Sequence, residues 1–162
     1  MTPGRLRSGE SLVATGAVAL LVLLSLDWFG VDRAAGATTG WSALGWPFVV
    51  LLVVVLLLAA WLVVATATDA PVERQLLAAV LTASVGAAVL FALTLRVALA
   101  QPDLGVGARN ADVTVLWPAY LGIVALTVVV AGAWRALADE RTDAPESAYV
   151  PPPPRPAPPE RI

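Results

Sequence analysis

Residues 47–68 read PFVVLLVVVLLLAAWLVVATAT, without one charged side chain. At about 1.5 Å of rise per residue, these 22 residues reach across a hydrocarbon core roughly 30 Å thick. Lipid offers the backbone no hydrogen-bonding partner, so a lone segment crossing it must close its own bonds as a helix. Pro47 suits the first turn of such a helix, where its missing N–H costs nothing.

Working outward, comparable runs flank this one. On the C-terminal side, Asp69-Ala70-Pro71-Val72-Glu73-Arg74 reads as a tight turn, and Pro71 stops any helix continuing through it. Runs over 75–100 and 113–134 follow, separated by the polar loop 102–112. On the N-terminal side, 30–45 is a Gly-rich polar loop, and the run over 11–29 precedes it. That first run also has a competing reading as a signal-peptide core, with Arg5 and Arg7 as the basic segment and Ala35-Gly36-Ala37 as the cleavage site. Its length favours an uncleaved helix. The expected plan is a cytoplasmic N-terminus (1–10), a four-helix transmembrane domain (11–134) and a tail (135–162). This is an all-α membrane protein, four transmembrane helices in an antiparallel bundle with a disordered Pro-rich C-terminal tail.

Composition agrees. The chain has 162 residues, 59% of them hydrophobic, and a mean hydropathy of +0.81, whereas soluble domains are about 45–50% apolar. The net charge is -2 and every basic residue is Arg, so no nucleic-acid partner is implied. Cys and His are both absent. That excludes disulfides, Cys/His zinc sites, His-held haem and Ser-His-Asp catalysis for this chain. No cofactor and no enzymatic activity are expected.

The arginines suggest an orientation. With the N-terminus inside, Arg5, Arg7, Arg74, Arg135, Arg141, Arg155 and Arg161 fall on the inner side, and Arg33, Arg96 and Arg109 on the outer. Seven against three places both termini in the cytoplasm of a multi-pass plasma-membrane protein.

Candidate functional residues are few. Asp27 and Arg96 fall near the outer boundary and are a possible ion pair there, read as a gate or ligand site or as an interfacial salt bridge or two snorkelling side chains. Trp28, Phe29, Trp41, Trp46, Trp117, Tyr120 and Trp134 flank the runs, as aromatics of the membrane interface do. Ala79, Ala83 and Ala87, with Thr82 and Gly86 beside them, form a small-residue stripe for close helix packing, within the bundle or in a homodimer. Ser25, Thr66, Thr82, Ser84, Thr94 and Thr127 are the main polar groups within the runs, whose middles carry no charge. In the tail, Pro156, Pro159 and Arg161 fit one class of proline-dependent docking motif.

Asp27-Trp28-Phe29-Gly30, followed by Gly40-Trp41 and a second apolar run, resembles uncharacterised four-span membrane proteins of actinobacteria. The resemblance covers the first hairpin and the overall plan, and implies no site residues. The leading functional expectation is a non-enzymatic accessory or scaffold component that meets the lipid bilayer and a protein partner or a second copy of itself. A small transporter or channel subunit acting as an oligomer is the alternative. An envelope sensor using the Trp-rich outer loop is the third.

Overall fold

The computed structural model describes residues 8–31, 34–68, 70–99 and 113–142. Arg33, Arg109 and the tail from 143, with Pro156, Pro159 and Arg161, lie outside them. The element order is α1 (Ser8–Leu24), β1 (Asp27–Val31), β2 (Ala34–Thr39), α2 (Gly40–Ala43), α3 (Trp46–Ala67), α4 (Val72–Ala98), β3 (Val113–Val115) and α5 (Trp117–Thr142). Helices α3, α4 and the Trp117–Ala138 part of α5 are long and apolar enough to cross a membrane. Helix α1 is shorter, at 17 residues. These features mark a mainly helical membrane protein.

The uncharged run forms α3 nearly as expected. Gly45 turns into it with φ 77° and Pro47 sits in its first turn. At the other end, the Ala70 N–H donates to the Ala65 carbonyl at 2.9 Å. Pro71 is the N-cap of α4, and the Gln75 side chain donates back to the Ala70 carbonyl at 2.7 Å. A tight α3–α4 hairpin results. Val50, Val53, Val54, Leu57 and Val64 of α3 are exposed on the protein surface, which is the natural state of a helix whose outer face meets acyl chains.

The helices pack in a ring: α1 on α5, α5 on α4, α4 on α3, and α3 on α1. Hydrophobicity does not pull helices together in lipid, so close van der Waals contact has to. The α1–α5 seam supplies it through glycine. A Cβ on Gly9 would stand 2.7 Å from the Ala136 backbone nitrogen, and one on Gly132 would stand 2.8 Å from the Gly9 carbonyl oxygen. Further along, a Cβ on Gly16 would stand 2.9 Å from the Ala125 carbonyl oxygen. The two backbones therefore touch, and the order of these contacts makes the helices antiparallel. On α4, Ala79, Thr82, Ala83 and Gly86 are buried against neighbouring helices of the same chain, and Ala87 is exposed. Most of the small-residue stripe thus serves the bundle itself.

Several boundaries differ from expectation. Helix α1 begins at Ser8, not at 11, because Gly9 and Glu10 complete its face against α5. It ends at Leu24, and Asp27 to Val31 form a strand instead of a last turn. The expected loop over 30–45 contains a strand and a short helix. Residues 113–115 are a strand, and α5 runs past Trp134 to Thr142, with Ala136 buried. Residues 135–142, expected in the tail, belong to α5.

Candidate functional site

A three-stranded antiparallel sheet, ordered β2-β1-β3, covers one end of the bundle. Strand β1 continues α1 and β3 leads into α5, so the sheet joins the two helices that share the glycine seam. Phe29 pairs with Val115 and Gly30 with Thr114. The Thr114 hydroxyl donates to the Gly30 carbonyl at 3.1 Å, and the Leu116 N–H to the Trp28 carbonyl at 2.8 Å.

Trp28 is the plug of this end. It is fully buried, and its indole N–H donates to the Leu23 carbonyl at 2.7 Å. Two glycines make room for the ring. A Cβ on Gly40 would lie 3.0 Å from it, and a Cβ on Gly122 would overlap it outright. Phe29 is fully buried as well. Trp28 and Phe29, expected among the interface aromatics, instead face the protein core. Trp41 is half-buried, with its N–H on the Ser25 hydroxyl at 3.3 Å. Trp46, Trp117 and Tyr120 stand exposed at the sheet end, and Trp134 is exposed on α5 towards the opposite end.

No salt bridge joins Asp27 and Arg96, the possible outer-face pair. Asp27 is exposed on β1, Arg96 is half-buried on α4, and its Nε is buried without a hydrogen-bond partner. The residue that the sequence reading missed is Glu10. It is 4% exposed, and its Oε2 has no hydrogen-bond partner. Arg135, the nearest candidate by level in the bundle, places its Nε on the Ser8 hydroxyl at 2.8 Å. A buried carboxylate oxygen without a hydrogen-bond partner is costly unless paired, which makes Glu10 a functional candidate. The signal was available in the spacing of Gly9, Val13 and Gly16, which carries the helical face back through residues assigned to a polar terminus.

Six hydroxyls of the apolar runs are occupied locally. Ser25, Thr66, Thr82, Ser84, Thr94 and Thr127 each donate to the carbonyl four residues earlier. Such back-bonding hides the polar group in its own helix. Between α3 and α4 lies an open groove of about 340 Å³, lined by Leu51, Ser84, Val85, Ala88, Val89 and Ala92. A pocket of about 280 Å³ at the sheet end is lined by Leu26, Asp27, Leu116, Trp117 and Pro118. Among the described residues, no three His, Cys, Asp or Glu side chains come together.

No protein-family model matches the chain, and no curated protein or solved structure is significantly similar to it.

Proposed function

We propose that the chain is a four-span antiparallel bundle in the plasma membrane, with both termini cytoplasmic, and that it serves as a non-enzymatic accessory or scaffold component of a membrane assembly. The fourth span is α1. At about 1.5 Å per residue its helix is about 25 Å long, and it lies against α5 from Gly9–Ala136 to Gly16–Ala125. Beyond it, β1 carries the chain to Gly122, near the start of α5, by way of Trp28. The arginine count supports the orientation.

The observation that carries the functional reading is the back-bonded hydroxyls. A conducting path needs polar groups turned towards it, and here Thr66, Thr82, Thr94 and Thr127 donate to their own helices. The glycine seam and the Trp28 plug close the interior further. What remains for function is the outer surface and the Pro-rich tail, whose composition suits docking. Buried Glu10 favours the second reading, a transporter subunit that works as an oligomer. The sensor reading loses support, because Trp28 and Trp41 of the first hairpin are committed to internal contacts.

The test is crosslinking in the native membrane, comparing the full chain with one cut after Thr142. The cut removes no described residue and leaves α5 whole. The expected result is a protein partner on the full chain whose yield falls without the tail. Self-crosslinks alone would contradict the scaffold reading and favour the oligomeric transporter.

A further inference from the structure

The pocket at the sheet end joins groups that neither the fold nor the proposed function uses. Asp27 is the first residue of β1 and Trp117 the first of α5. The backbone of Asp27 is paired with Thr39, while its exposed side chain has no salt bridge or hydrogen bond to a described residue. Trp117 is 63% exposed. Leu26, Leu116 and Pro118 complete an apolar wall around the two, and the space is about 280 Å³. A water molecule occupies roughly 30 Å³ of liquid, so a group of several heavy atoms fits. The pocket opens at the end of helices long enough to cross a bilayer, the level at which exposed Trp and Tyr meet headgroups.

We infer that this pocket binds a primary alkylammonium group, the headgroup of a phosphatidylethanolamine. A carboxylate accepts charge-assisted hydrogen bonds from the three N–H donors of an ammonium. An indole face attracts the same cation through its quadrupole. Apolar walls cover the adjoining methylene carbons. Other ligand classes fit less well. One carboxylate supplies too few oxygens for Ca²⁺ or Mg²⁺, and an anionic headgroup meets a like charge. A trimethylammonium keeps the attraction to the ring but cannot hydrogen-bond to Asp27. This inference rests on the membrane placement alone and not on the scaffold reading.

The experiment places the full chain in phosphatidylglycerol nanodiscs that contain a minor fraction of phosphatidylethanolamine or of phosphatidylcholine. Lipids leaving the disc with the protein are counted by native mass spectrometry. Phosphatidylethanolamine should be retained preferentially. Asp27→Asn should reduce retention at least about tenfold and Trp117→Leu about threefold, while Asp27→Glu and Trp117→Phe keep part of it. Those conservative variants separate lost recognition from lost folding. Competition by free ethanolamine that requires Asp27 would support the ammonium site with a soluble amine as its source. Equal retention of the three lipids, or Asp27→Asn retaining as much as the native chain, would overturn the inference. Failure of the native chain to enter nanodiscs would instead overturn the membrane placement on which it rests.

Discussion

Gly132→Leu is expected to separate α1 from α5 and to destabilise the bundle by about 3 kcal/mol, the upper part of the usual range for overpacking. The site has no slack. A Cβ there would stand 2.8 Å from the Gly9 carbonyl oxygen and 2.8 Å from the Val13 backbone nitrogen. Both are backbone atoms of a neighbouring helix, so relief requires the helices to part. Gly132→Ala should already show a substantial share of the loss. Ala131→Leu is the matched control, since residue 131 is exposed and ends with the same leucine side chain. Unfolding by a denaturing detergent, followed by circular dichroism, reads the difference. Equal effects at 131 and 132 would mean that the seam does not bear on stability.

Trp28→Ala is the second large effect, expected to cost about 3–5 kcal/mol. The ring is fully buried and is enclosed by Gly40 and Gly122. Its removal leaves a cavity where α1, β1 and α5 converge, and frees the Leu23 carbonyl of its indole donor. Trp46→Ala, at a residue 78% exposed, should change stability little in detergent. Thermal unfolding curves of the two variants in detergent compare them directly. A Trp46 variant as unstable as the Trp28 variant would contradict the plug. The contrast also separates two aromatics that look alike in the sequence.

What was legible in the sequence was whatever depends on local composition. The uncharged run of α3, the proline that ends the hairpin turn and the back-bonded hydroxyls follow from residues within one or two turns of each other. The sheet was not legible, because β1 finds β3 across 84 residues, as the Thr114–Gly30 hydrogen bond measures. A strand of three residues, Val113 to Val115, has too short a pattern to signal itself. Trp28 and Phe29 were misplaced for the same reason. Interface aromatics and core aromatics share a composition, and only the long-range pairing of β1 turns these two inward. Glu10 was lost to a polar-sounding terminus, although Gly9, Val13 and Gly16 already mark a helical face. The end of α5 was hidden likewise. Residues 135–142 look hydrophilic as a group, yet Ala136 is 2% exposed, packed beside Gly9.

For the candidate site, the residue types were visible and their partners were not. Asp27 and Arg96 stand out in the sequence as charges at the edge of the apolar runs. Proximity along the bundle axis did not bring them together. Asp27 instead shares a pocket with Trp117, a neighbour supplied by the β1–β3 pairing.

The central claim is that α1 crosses the membrane beside α5, so that the sheet lies on one side and both the start of α1 and the α3–α4 turn lie on the other. The chain has no cysteine, so single cysteines report cleanly. Ser8, Ala37 and Glu73 are all exposed and mark the start of α1, the sheet and the start of α4. A membrane-impermeant maleimide applied to intact cells is predicted to label Ala37→Cys and to reach Ser8→Cys and Glu73→Cys only after permeabilisation. Labelling of Ser8→Cys and Ala37→Cys from the same side would contradict the account, because α1 would then not cross.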